Sequence, residues 1–114
     1  MNADKQSFDL NNEYIDLAVE VFSMLADPTR LRIVMILNDS ERSVNEIAGM
    51  LGKQPASVSQ HLAKLRMARI VQTRQEGQRV FYRVANEHVS QLAIDALYQA
   101  EHSVEDIPRH HRAG

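Results

Sequence analysis

The sequence predicts a mainly helical α+β domain, about five helices with one β-hairpin, of the winged helix-turn-helix kind. Three observations point there: two short helical stretches joined by a tight turn at Gly52, two β-favouring stretches around Glu76-Gly77, and positive charge gathered over both. Residues 1–12 read as a polar, flexible lead. Tyr14, Leu17, Ala18, Val21, Phe22 and Leu25 then recur at three- and four-residue spacing, so an amphipathic first helix of about three turns is expected, ending near Asp27-Pro28. Asp27 and Pro28 also suit the cap and first turn of a second helix, in which Leu31, Ile33, Val34, Ile36 and Leu37 are almost wholly apolar and therefore central. Ser43-Val44-Asn45-Glu46 has the spacing of a capping box for a short third helix through Leu51, which Gly52 stops.

Pro55 opens the next helix. Val58, Leu62 and Leu65 anchor it inward, which leaves Ser57, Ser59, Gln60, His61, Lys64 and Arg66 as the outer set. These are side chains that hydrogen-bond base edges or pair with phosphates, so they are the candidate DNA-reading residues. Ile70–Gln75 and Gln78–Val84 form the hairpin about Glu76-Gly77. Val80, Tyr82 and Val84 are expected on its buried face, and Arg74 and Arg79 near its tip would grip flanking backbone. A last helix runs from the cap Asn86 to His102, and residues 103–114 form a tail. The domain proper is thus 13–102.

A chain of 114 residues has room for one small core, and such a core invites dimerisation. With no Cys, thiolate metal sites, disulfides and a Cys nucleophile are excluded. No stretch approaches the ~20 apolar residues that span a bilayer, and the N-terminus lacks a basic start followed by an apolar run, so a cytoplasmic protein with no membrane partner is expected. The net charge of −2 conceals a strong asymmetry. Residues 53–83 hold seven Lys and Arg against one acid, while the segments on either side are acidic. Concentrated charge of that kind is the footprint of a surface facing phosphates, although a solvated face has the same look. Catalysis finds no support: Ser57 and Ser59 lie near His61 without a Gly-rich nucleophile turn or a third orienting group. The chain is not expected to be an enzyme.

Leu25-Ala26-Asp27-Pro28-Thr29-Arg30-Leu31-Arg32-Ile33, Val58-Ser59-Gln60-His61-Leu62-Ala63-Lys64-Leu65, and Gly77 with Tyr82-Arg83-Val84 together resemble the ArsR/SmtB family of metal-responsive repressors. The resemblance covers about Val21 to His102. It implies a homodimer, joined through its N-terminal and C-terminal helices, that binds operator DNA and lets go when an inducer binds. Asn86-Glu87-His88-Val89, Ala100-Glu101-His102 and Ile107-Pro108-Arg109-His110-His111-Arg112-Ala113 are most similar to the nickel- and cobalt-sensing branch. By that resemblance His88, Glu101, His102, His110 and His111 are the metal ligands and Ni2+ or Co2+ is the inducer, with Zn2+ possible. The family's zinc sensors carry an Asp-x-His pair and two further His, and here Asn86 and Gln99 stand in two of those places.

Helix geometry restricts how such ligands meet. His88 and His102 are 14 positions apart, within roughly 40° of each other around a helix but about 21 Å apart along it. One helix cannot bring both to a single ion, because metal–nitrogen bonds near ~2.0–2.1 Å keep ligand atoms within about 4 Å of one another. Two copies of the helix packed antiparallel remove the difficulty, His88 of one meeting Glu101 and His102 of the other. His110 and His111 would close over the site from the tail, and five nitrogen and oxygen donors with one open position suit six-coordinate nickel or cobalt better than tetrahedral zinc. His61 is read as a recognition-helix side chain and not as a ligand, and Met24, Met35, Met50 and Met67 as core filling. Two other readings stay open: a repressor of the same family that answers to zinc or to a non-metal signal, and a winged helix used only for protein assembly.

Overall fold

Local capping chemistry sets most of the element boundaries. The computed structural model describes residues 9–105, arranged as α1 (Ile15–Leu25), α2 (Pro28–Asp39), α3 (Val44–Leu51), α4 (Pro55–Met67), β1 (Val71–Glu76), β2 (Arg79–Val84) and α5 (Glu87–Glu105). Before α1, Asp9–Asn12 form hydrogen-bonded turns. Asp27 caps α2, its carboxylate accepting from the backbone N–H of Arg30 at 2.9 Å. It is extended, at φ −152° and ψ 128°, as suits a residue before proline. This is why α1 stops at Leu25, two residues short of the expected Asp27. At α3 both halves of the capping box are present, Ser43 Oγ accepting from Glu46 N and Glu46 Oε1 from Ser43 N. Gly52 then takes a left-handed φ of +65°, where a side chain would be strained.

The core gathers Ile33, Val34 and Leu37 from α2, Ile47 and Ala48 from α3, Val58, Leu62 and Leu65 from α4, Ile70 and Val71 at the start of the hairpin, and Ala93 from α5. The end of α4 is fixed by paired bonds, Arg69 N to Arg66 O at 2.9 Å and Ile70 N to Leu65 O at 2.9 Å. Arg69, not a glycine, occupies the left-handed position with φ 64°. This aims the chain into β1.

The antiparallel hairpin pairs Val71 with Val84 through Glu76 with Arg79, so its two turn residues are Gly77 and Gln78. The turn therefore lies one residue later than the sequence suggests. Gly77 supplies the positive φ of +62°, while Glu76 stays in the strand beside Arg74. Tyr82 and Val84 pack against the body as expected, but Val80 is 38% exposed because the hairpin outruns the body at its tip. A further bridge fastens β2, with Arg42 N donating to Tyr82 O at 3.1 Å and Tyr82 N to Arg42 O at 2.8 Å. Asn86 caps α5 as expected, its side-chain oxygen accepting from His88 N and Val89 N. The helix continues past His102 to Glu105, since no glycine or proline interrupts Ser103-Val104-Glu105. Those three residues belong to the helix and not to the tail.

Two helices keep apolar surface that the protomer does not use. No residue of α1 is fully buried, and Leu17, Val19 and Phe22 are 56%, 59% and 58% exposed. Its expected stripe is split, with Val21 and Leu25 against the core while Leu17 and Phe22 point away. The stripe of α5 divides similarly: Val89, Ala93 and Leu97 face the body, whereas Ala96, Ala100 and Val104 face solvent. Full burial of such a side chain is worth about 1.5–3 kcal/mol, and each of these half-exposed residues forgoes part of it.

The caps make stability depend on acid. The Asp27 carboxyl is held below its ordinary value of 3.8, chiefly by the Arg30 backbone N–H. The Glu46 carboxyl is held below 4.5, chiefly by that of Ser43. A carboxyl depressed on folding stabilises fully above its unfolded value and loses that contribution as pH falls toward the folded one. Denaturation midpoints are therefore expected to drop as pH falls below about 4.5, with a shallower drop in Glu46→Gln. An identical acid profile for that variant would remove the cap from the account.

Candidate nucleic-acid interface

Because Val58, Leu62 and Leu65 are wholly buried, the opposite side of α4 is turned out by helical geometry. Ser59, Gln60, Lys64 and Arg66 are exposed there, as the sequence suggests. Ala56 and Ala63 belong to the same face. They lie outside the set expected from the sequence; small side chains let a helix approach a groove closely, and a methyl group can contact the thymine methyl. Ser57 is half-buried at the margin.

His61 departs from expectation. Its side chain is only 23% exposed and turns toward the start of α2, with Nδ1 3.3 Å from Arg30 Nη1 and 3.9 Å from Asp27 Oδ2. The reason is angular: three residues after Val58, it falls about 60° from the buried stripe, at its edge. It is therefore not part of the outward face.

The two arginines assigned to the wing differ. Arg74 is held by Glu41 and Glu76, with Nε donating to Glu41 Oε1 at 2.8 Å and Nη1 to Glu76 Oε1 at 3.2 Å. A second, shorter bond joins Arg74 Nη2 to Glu41. Bonds to Glu41 first, and then to Glu76, raise its already high affinity for a proton. With its charge spent on two carboxylates, Arg74 fastens the hairpin to the α2–α3 connection. It is not a free phosphate grip. Arg79 lies 4.8 Å from the Phe81 ring centroid and Arg74 lies 4.9 Å from it. Among the described residues no carboxylate forms an ion pair with Arg79. The wing thus presents Arg79, steadied on an aromatic ring that sequence reasoning had not singled out.

The metal-ligand candidates His88, Glu101 and His102 all lie in α5 and all are exposed. Among the described residues no group of three His, Asp or Glu is close enough to hold an ion. This agrees with the 14-position separation of His88 and His102. Imidazole and carboxylate donors suit nickel, cobalt or zinc, but the described residues of one protomer do not bring three of them together. His110 and His111 lie outside the described residues.

A family model described as bacterial regulatory protein, arsR family, matches residues 27–73, which run from the α2 cap through the turn and α4 into β1. Over 113 residues, 99% of this chain and 87% of the relative, the sequence is 57% identical to the HTH-type transcriptional regulator KmtR of Mycobacterium tuberculosis. The chain belongs to the ArsR family. It is also 38% identical over 88 residues to the HTH-type transcriptional repressor SmtB of the same species, covering 77% of this chain and 65% of that protein. Among solved structures, an ArsR-like winged helix-turn-helix DNA-binding domain from Mycobacterium bovis, described as homodimeric, superposes with a TM-score of 0.78 at 31% identity. That match covers 89% of this chain and 94% of the other. HlyU from Vibrio cholerae gives 0.70 at 34% identity over 78% of this chain and 96% of its own. ArsR-family membership accounts for the fold and marks the chain as a transcriptional regulator and not an enzyme. No described helix is long and apolar enough to cross a membrane.

Proposed function

We propose that this ArsR-family chain is a homodimeric repressor that binds duplex operator DNA through α4 and the wing, and that nickel or cobalt releases it. The observation that carries the DNA half is the outward face of α4, where Ser59, Gln60, Lys64 and Arg66 are exposed, together with Arg79 of the wing, with which no carboxylate among the described residues pairs. Gln60 and Ser59 supply base-edge hydrogen bonds, and Lys64, Arg66 and Arg79 pair with phosphates. The uncovered faces of α1 and α5 support a second copy as the partner, and the homodimeric M. bovis domain is similar.

The metal half rests on the resemblance to nickel- and cobalt-sensing members and on the donors along α5. His88 of one subunit with Glu101 and His102 of the other would hold the ion, and His110 and His111 would complete the set. The ion's contribution is a link between the two α5 helices. Regulation then requires tighter metal binding by the DNA-free dimer, with a coupling of typically ~1–3 kcal/mol and an equal effect of DNA on metal affinity.

The test is binding to duplex DNA from the region upstream of the chain's own gene, followed as salt is raised and then with nickel chloride or cobalt chloride added. Lys64→Ala is expected to weaken binding evenly across sequences and to reduce the salt slope by about one. Metal is expected to release the wild type. Retention of DNA at saturating nickel and cobalt removes the metal response, and salt-insensitive failure to bind duplex removes the DNA reading in favour of protein assembly.

A further inference from the structure

One guanidinium touches two helices besides its own. Arg30, in the first turn of α2, donates from Nε to the carbonyl of Met24 in α1 at 2.6 Å, and its Nη1 lies 3.3 Å from Nδ1 of His61 in α4. Its backbone N–H meanwhile donates to Asp27 Oδ2, the oxygen that lies 3.9 Å from the same imidazole nitrogen. Guanidinium only donates, so a hydrogen bond between them requires Nδ1 as the acceptor and the Nε2–H tautomer of the ring.

Each contact answers a local need. The last carbonyls of α1 have no partners within their own helix, and the last turn of α1 carries no basic residue. The Arg30 cation fills that place from the next helix, where the negative end of the α1 dipole favours it. Its flat, rigid fork holds donors in fixed directions toward two acceptors, whereas a lysine ammonium is a point donor on a flexible stem. A cleft of about 280 Å³ lies between α1 and the C-terminal half of α4, lined by Glu20, Met24, Lys64 and Met67 together with Arg30 itself. Val58, Leu62 and Leu65 hold α4 to the core by non-directional apolar contact. The bond to His61 is directional and lies between Gln60 and Lys64 in sequence.

Building on the DNA-binding reading above, we propose that Arg30 is a positioning residue for the recognition face. By bridging Met24 O and His61 Nδ1 it sets the rotation of α4 relative to α1, and with it the aim of Gln60 and Lys64. Arg30 touches no DNA in this role. It joins the helix proposed for subunit contact to the helix proposed for base reading.

The test uses full-length wild type, Arg30→Met, His61→Leu, His61→Asn and the Arg30→Met/His61→Leu double variant. Two readouts are taken: affinity for the upstream duplex and for an unrelated duplex across a salt series, and the ¹⁵N spectrum of the His61 ring in the free protein. Arg30→Met is expected to lose about tenfold or more in affinity for the upstream duplex, while binding to the unrelated duplex and the salt slope stay unchanged. His61→Leu should lose a similar factor, the double variant no more than either single change, and His61→Asn, which keeps an acceptor near the Nδ1 position, should recover most of it. The ring spectrum should report the Nε2–H tautomer in wild type and a mixture in Arg30→Met. A salt slope lowered by about one in Arg30→Met would make Arg30 a phosphate contact and overturn the proposal. Additive losses, or an Nδ1–H ring in wild type, would overturn it too. Should Arg30→Met fail to fold, the contrast between His61→Leu and His61→Asn decides alone. Wild type that binds no duplex defeats the DNA reading, and the tautomer still reports on the bridge itself.

Discussion

Phe22→Asp and Leu17→Glu are each expected to give a folded monomer whose affinity for duplex DNA falls by roughly 10²–10⁴-fold. The size follows from geometry. A dimer reads two half-sites about 34–36 Å apart, one turn of the duplex, and once the first recognition helix is seated the second binds at high effective concentration. A monomer has only the first event. Folding should survive because α1 contributes no fully buried residue, and Phe22 and Leu17 are more than half exposed while Val21, Met24 and Leu25 hold the helix to α2. Sedimentation and DNA-binding anisotropy on the same samples check it. A variant that stays dimeric, or a monomer that binds as tightly as wild type, would show that the uncovered face of α1 is not the subunit contact.

What could be read in the chain before its structure divides along a physical line. Features set by neighbours in sequence were legible: the Ser43–Glu46 capping box, the Asp27 and Asn86 caps, the glycine stop at Gly52 and the buried triplet Val58, Leu62 and Leu65 all depend on residues within a few positions. Features set by distant partners were not. Arg74 is expected at DNA because it lies near the hairpin tip within the basic segment 53–83, but Glu41, 33 positions away, takes its charge together with Glu76. His61 is expected in the groove as part of the outer set that Val58, Leu62 and Leu65 leave, and the partner it meets instead, Arg30, is 31 positions away. Local signals did exist: His61 lies at the margin of the buried stripe, and Glu76, two positions after Arg74 on the same strand, takes part of its charge. The candidate metal site lies further still from what one chain reveals, since spacing says only that His88 and His102 cannot serve one ion within one helix, and the ligand assignments come from resemblance.

That constraint makes the sensing proposal testable by complementation. His88→Ala and His102→Ala homodimers are each expected to lose nickel-dependent release of DNA, because each damages both symmetric sites while leaving α4 and the wing untouched. Both side chains are exposed, so neither change should disturb the fold. A heterodimer of the two variants, isolated through different affinity tags, behaves differently. On the proposed arrangement His88 of the His102→Ala subunit would face Glu101 and His102 of the His88→Ala subunit, restoring one complete site, while the other site would lack both imidazoles. Nickel capacity is therefore expected to return to about half that of wild type, with release partly restored. Were His88 and His102 to act in separate sites within single subunits, every subunit of the heterodimer would still lack a ligand, and mixing would restore nothing. Recovery distinguishes a site shared between subunits from one contained in a subunit, and it does so without reference to where His110 and His111 lie, since both subunits keep them.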